Sequence, residues 1–197
     1  MERTLILIKP DGVKHSLIGN IIKRFESRGL KIVALQLIHP TKDQMDNHYP
    51  KDKEWIIGLG NNTVRSYKEF EMPTTLTQDY GTEDPHEIGL KVREWLINFM
   101  TSGPIVKIVV EGLHAIKMVR KIVGPTIPAF AEPGTIRGDF SIDSPDFANA
   151  KKRAVQNLIH ASGNKQEAEE EIKLWFSPEE IYEYRTARDA LAHLEDN

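Results

Sequence analysis

A strand that ends in lysine, proline, aspartate and glycine constrains this chain more than any other feature. Thr4-Leu5-Ile6-Leu7-Ile8 is a continuous apolar run rich in branched residues, the pattern of a strand buried on both faces. Lys9-Pro10-Asp11-Gly12 stops it, because proline removes a backbone donor and glycine relaxes the chain. The sequence therefore predicts a turn that presents Lys9 at the end of a buried strand. A lysine held there calls for an anion more strongly than one in an open surface loop.

The remaining elements follow from the same signals. Ser16 is expected to cap a helix with apolar positions Leu17, Ile18, Ile21, Ile22 and Phe25, stopped at Arg28-Gly29, and residues 30–38 form a second strand. Thr41 and Gln44 start a short helix that Tyr49-Pro50 ends. Trp55-Ile56-Ile57 reads as a buried helical turn broken at Gly60-Asn61-Asn62, followed by a charged helix over 63–72 and a loop over 73–81. Asp84-Pro85 restarts a helix with a face of Ile88, Val92, Trp95, Leu96 and Phe99. A third strand covers 105–110, and a helix over 113–123 carries Arg120 in its last turns, with Gly124 as its stop.

The loop 124–140 holds three prolines, which argue against regular structure, and a loop of this length in a compact domain is usually functional. Ser144-Pro145 caps a helix to about residue 154. Residues 155–159 read as the end of a fourth buried strand, which delivers Asn157, His160 and Ser162 at its mouth. Asn164 and Glu167 then open a helix. Ser177-Pro178 begins one more, and the tail 185–197 reads as a charged helical or frayed end. The β-α-β, β-α-β order gives an α+β fold, a ferredoxin-like βαββαβ sandwich whose four-stranded antiparallel sheet is covered by helices, as a single domain over residues 1–197.

Composition narrows the chemistry. A net charge of -3 offers no basic field for nucleic acid, so a phosphate must be held by local cations. Zero cysteines exclude disulfides, thiolate metal sites and thiol nucleophiles, and fit a cytoplasmic protein. No apolar run approaches membrane-spanning length, so no membrane partner is expected. Of seven histidines only His160 has a polar frame; His15, His39, His48, His86, His114 and His193 read as solvated or structural.

Four motifs in order carry a resemblance over nearly the whole chain: Leu7-Ile8-Lys9-Pro10-Asp11-Gly12-Val13, Thr101-Ser102-Gly103-Pro104, Pro133-Gly134-Thr135-Ile136-Arg137-Gly138-Asp139-Phe140, and Asn157-Leu158-Ile159-His160-Ala161-Ser162. The chain resembles nucleoside diphosphate kinases. The resemblance implies that His160 is transiently phosphorylated, that Lys9, Tyr49, Arg120, Thr126, Arg137 and Asn157 frame phosphates and ribose, and that Ser162 and Glu171 support the histidine. The base-stacking position aligns with Trp55-Ile56-Ile57, as either Trp55 or Ile57. Gly163 stands where many relatives have Asp, leaving part of the capping to Asn164. Relative to compact members, residues of about 60–91 and 141–153 are insertions, the first beside the expected nucleotide entrance. The resemblance also implies a homo-oligomer, a hexamer ahead of a tetramer or dimer.

The residue types suit that activity. Imidazole has an unperturbed pKa of about 6.5, so near neutral pH it is a nucleophile without a separate base. Passing a phosphoryl group through it gives two displacements at one site, between nucleoside tri- and diphosphates such as ATP and GTP. Lys9 can serve as a point charge, Arg120 and Arg137 as planar forks, and Thr126 and Tyr49 as neutral donors. Glu171 can accept a hydrogen bond from the imidazole nitrogen that does not attack. The chain lacks a P-loop and a carboxylate cage, so Mg2+ is expected to ride on the nucleotide's phosphates, and a base held by stacking predicts broad nucleobase tolerance. The competing reading is a nucleotide-binding regulatory module on the same fold with little turnover.

Overall fold

β1 (Glu2–Ile8) lies inside the sheet, and its residues from Thr4 onward are buried. The computed structural model describes residues 1–187. The strands β1, β2 (Lys31–Ile38), β3 (Ile105–Gly112) and β4 (Ile159–Ala161) form one sheet in the order β2-β3-β1-β4, antiparallel throughout. β1 pairs along its length with β3, from Glu2 opposite Gly112 to Ile8 opposite Val106. Its other edge takes β4, which sets His160 opposite Leu7.

Alternation along the strands makes two cores. Ile6, Ile8, Ile108 and Val110 pack on Ile21 and Phe25 of α2 (Ile18–Glu26) and Val119 of α7 (Ala115–Val123). Leu5, Leu7, Ile105 and Val109 face the other way, onto Met45 of α3 (Lys42–His48), Met100 of α6 (Pro85–Met100) and Trp175 of α10 (Lys165–Trp175). Burying each such side chain contributes about 1.5–3 kcal/mol before entropy is counted. The βαββαβ topology expected from the sequence is the one observed.

Several local expectations need correction. Lys9-Pro10-Asp11-Gly12 does not turn freely; Pro10 starts a short helix, α1 (Pro10–Lys14), where its missing N–H costs nothing. Ser16 does not cap α2: it lies at φ 58, and Leu17 holds the cap position without a side-chain bond. Gly60 does not break the chain, since α4 (Lys53–Glu69) runs through it. A Cβ at Gly60 would lie 1.8 Å from the Pro85 carbonyl oxygen, and one at Gly89 2.0 Å from that of Ile56. These two glycines let α4 and α6 cross at backbone distance.

The stretch 73–81 contains α5 (Leu76–Tyr80), opened by a capping box between Thr75 and Gln78. The loop 124–140 contains a 3-10 turn at Pro128–Phe130 and α8 (Ile136–Phe140), capped by Thr135. β4 begins only at Ile159, so His160 sits within it rather than beyond it. The helix at Ser144 is short, α9 (Pro145–Ala150), and Ser177 opens a 3-10 turn, Pro178–Glu180. Most of the tail expected to be helical or frayed lies outside the described residues.

The α4–α5–α6 arm has a core of its own, with Tyr67, Tyr80 and Ile88 buried together. Tyr80 donates its hydroxyl to Asn149 Oδ1 of α9 at 2.9 Å, and Phe70 stacks on Phe130 at 5.3 Å. At the neck of 141–153, Asp143 accepts both Nη groups of Arg153, at 2.7 and 2.9 Å, and the Gln156 amide at 2.6 Å. Both regions expected as insertions therefore meet on one side of the fold.

Candidate active site

Asp11 builds the floor of the site, although its sequence context offered no reason to single it out beyond the turn. Its Oδ1 accepts the Gly12 amide at 3.0 Å and its Oδ2 the Leu158 amide at 2.9 Å, while Lys9 N–H donates to Leu158 O at 2.8 Å. These bonds hold Leu158 at φ 67, a conformation an L-residue rarely adopts. The resulting kink turns the chain from Asn157 into β4.

Lys9, Arg120, Thr126, Arg137, Asn157 and His160 line a cleft of about 400 Å3. Lys9 Nζ donates to Asn157 Oδ1 at 2.7 Å, and Asn157 Nδ2 donates to the Thr126 carbonyl at 2.9 Å. Burial, then the Arg137 charge, pulls the Lys9 ammonium down to about 8, against a pull upward from Asp11. Arg137 is buried and spends its fork on backbone: Nε on Asn157 O, Nη1 on Gly124 O and Pro125 O, Nη2 on Ile159 O at 2.6 Å. Burial, with Arg120 nearby, brings its pKa down to about 10. Arg137 thus supplies charge and one remaining N–H rather than a free fork. Arg120, exposed at the end of α7, makes no side-chain hydrogen bond among the described residues and keeps its fork for a ligand.

Behind the cleft, Glu171 takes His160 Nε2 between its oxygens at 2.9 and 3.0 Å and accepts the Ser162 hydroxyl at 2.6 Å. Burial alone would raise the Glu171 carboxyl, but hydrogen bonds from His160 and Ser162 and the adjacent imidazoles hold it below the usual range. A carboxylate only accepts, so Nε2 carries the proton and the neutral ring keeps its lone pair on Nδ1. Ser162 is fully buried. Asn164 caps α10 through the Glu167 amide at 2.9 Å, and Glu167 returns a bond to the Gly163 amide at 2.7 Å.

Of the two places expected for His48, solvated or structural, the second is the one found: it is buried, with its ring 4.7 Å from that of His160. The Thr41 capping box fixes the register of α3, which puts His48 one turn beyond Met45 on the buried face. That spacing was the available signal. Tyr49 follows, its phenol pushed up by burial, and Arg93 of α6 clamps the segment through Asp46 O, Tyr49 O and Pro50 O. Trp55 lies 6.1 Å from Tyr49, but neither Trp55 nor Ile57 lines the cleft; both are half-buried in the first turns of α4.

The cleft's donors are cationic or neutral, which suits phosphate oxygens and not a resident divalent cation. Among the described residues one trio, His48, His160 and Glu171, brings potential donor atoms within 4.8 Å of one another, and its facing atoms are committed to the hydrogen bonds around Glu171 and Trp175. No described helix is long and apolar enough to cross a membrane.

Comparison with known proteins agrees with this geometry. The model of the family "Nucleoside diphosphate kinase" matches residues 2–56 and 68–181, so its gap falls inside α4. A nucleoside diphosphate kinase of Pyrobaculum aerophilum is 46% identical over 183 residues, covering 93% of this chain and 99% of that protein. Nucleoside diphosphate kinase A of Canis lupus familiaris is 37% identical, covering 94% of this chain and 92% of that one. The crystal structure of the Pyrobaculum enzyme superposes with a TM-score of 0.89 at 45% identity, covering 92% and 99% of the two chains. A Borrelia burgdorferi nucleoside-diphosphate kinase with bound vanadate and ADP, a transition-state mimic, superposes at 0.75 with 34% identity, covering 96% and 95%. The cleft and the similarities lead to one assignment: this chain belongs to the nucleoside diphosphate kinase family.

Proposed function

We propose that this chain moves the γ-phosphate of a nucleoside triphosphate onto a nucleoside diphosphate through a phosphohistidine at His160, as a cytoplasmic homo-oligomer in which the whole chain acts as one domain with two insertions. The observation that carries the reading is the Glu171 bond to Nε2, which leaves the lone pair on Nδ1 of a ring that lines a cationic cleft. In the first half-reaction Nδ1 forms the N–P bond while the bond from phosphorus to the β-phosphate oxygen breaks, and that electron pair leaves with the diphosphate. Glu171 stabilises the positive charge that develops on the ring. The second half-reaction reverses these steps with an acceptor diphosphate.

Arg120 takes non-bridging oxygens with its uncommitted fork, Lys9 and Arg137 supply charge, and Asn157 and Thr126 orient the phosphates and ribose. Tyr49 contributes a neutral phenol beside His48. Mg2+ would arrive with the nucleotide and would neutralise phosphate charge there, because the lining offers no carboxylate to hold it. Trp55, close to Tyr49, is the better stacking candidate than Ile57. The exposed Leu35 and Leu37 on edge strand β2 support self-association, with a hexamer favoured.

Initial rates with ATP and a second nucleoside diphosphate varied together test the two-step route. Parallel double-reciprocal lines are expected; intersecting lines exclude it.

A further inference from the structure

One buried imidazole in the site has no part in the transfer. His48 ends α3, and its side chain is 2% exposed. Its ring meets that of His160 at 4.7 Å and 87°, with Tyr49 at 5.1 Å and Trp175 at 5.6 Å. Its Nδ1 lies 3.2 Å from the Trp175 indole N–H and 3.8 Å from Glu171 Oε1. An indole nitrogen only donates, so His48 must present a lone pair at Nδ1 and carry its proton on Nε2. The nitrogen closest to Glu171 is thereby occupied.

The titratable groups around His48 are His160 from β4, Glu171 from α10, Lys9 at the end of β1 and its neighbour Tyr49. Burial, then His160, lowers the His48 pKa to about 3, with Lys9 adding to the effect and Glu171 opposing it. His48 is therefore neutral wherever the enzyme works. Glu171 faces two imidazoles and bonds closely to one.

We infer that the Trp175–His48 hydrogen bond is a positioning device: by occupying Nδ1 of the neutral His48 ring it holds that ring's one proton on Nε2, so that Glu171 meets no second N–H donor and stays on Nε2–H of His160. The inference rests on His160 being the phosphorylated residue. Without the indole, Nδ1 of His48 is open to a proton 3.8 Å from the carboxylate. The neutral tautomer with its proton there divides Glu171 between two N–H donors and draws it from the ring that must become cationic during transfer.

The test is Trp175→Phe in the full chain, which removes the donor and keeps an aromatic side chain. Two readouts are needed: histidine 15N NMR of the nucleotide-free protein across pH, and single-turnover phosphorylation by Mg-ATP across the same range. The natural chain is expected to show a fixed Nε2–H tautomer at His48. In Trp175→Phe the His48 proton is expected to move to Nδ1, and single-turnover phosphorylation to slow about tenfold. The double variant with His48→Leu removes the competing donor and is expected to recover the rate. A double variant no faster than Trp175→Phe overturns the inference, because a packing role alone leaves the loss in place. So does a proton on Nδ1 of His48 in the natural chain, a result that stands even where Trp175→Phe does not fold. The NMR readout needs no turnover, so failure of the natural chain to phosphorylate would mark instead the failure of the kinase reading.

Discussion

Glu171 holds Nε2 of His160 between its two carboxylate oxygens, at 2.9 and 3.0 Å. This pair fixes the ring's tautomer and faces the charge that forms on it. Replacing Glu171 with Gln keeps the volume and removes the charge. Single-turnover phosphorylation is expected to slow by about 10- to 100-fold, the scale of a hydrogen bond to a charged group, with the thermal midpoint changed little by comparison.

Lys9 gives a pH dependence with a definite sign. Its ammonium is pulled down to about 8, whereas an unfolded lysine holds its proton to about 10.4. Between those values the unfolded chain binds more protons, so stability of the nucleotide-free protein rises with pH in that window. Nucleotide binding runs the other way, because discharge of Lys9 removes a phosphate partner. KM for the nucleotide is expected to climb above about pH 8, and Lys9→Met to lose both the KM limb and the stability limb.

Arg137 ties four backbone carbonyls with one guanidinium, two from the loop before α8 and two from the entry to β4. Lysine keeps the charge but not the fork. Arg137→Lys is expected to destabilise the fold by about 2–4 kcal/mol in denaturant titration, since several buried carbonyls lose their donors.

Much of this was legible in the sequence, for reasons specific to residue types. Buried strands such as Thr4-Leu5-Ile6-Leu7-Ile8 announce themselves by unbroken branched apolar residues, and the Thr41–Gln44 box announces a helix start. Glycine misled the reading of 53–72, because Gly60 serves helix crossing rather than helix ending, and only the position of Pro85 reveals this. Thr75–Gln78 carried the same signature as Thr41–Gln44, yet few apolar neighbours marked α5. The Thr41 box and the spacing from Met45 could place His48 on the buried face of α3, but not beside His160, since its partner Trp175 is distant in the sequence. Arg137 was readable as a cation, but not as one whose donors are mostly spent on backbone.

The α4–α6 crossing gives a test away from the chemistry. Gly60→Ala puts a methyl group into the Pro85 carbonyl, where backbone must move. A loss of about 1–3 kcal/mol is expected, the scale of overpacking. Amide hydrogen exchange should quicken over α4 and α5 before it does in β1 and β3.

Intact-protein mass after brief incubation with Mg-ATP, comparing the natural chain with His160→Gln at neutral or alkaline pH, where phosphohistidine survives, shows whether His160 carries the phosphoryl group. One added phosphoryl group is expected on the natural chain only, discharged by GDP with formation of GTP. A phosphoryl group retained by His160→Gln, or none on a natural chain that binds the nucleotide, would contradict that role of His160.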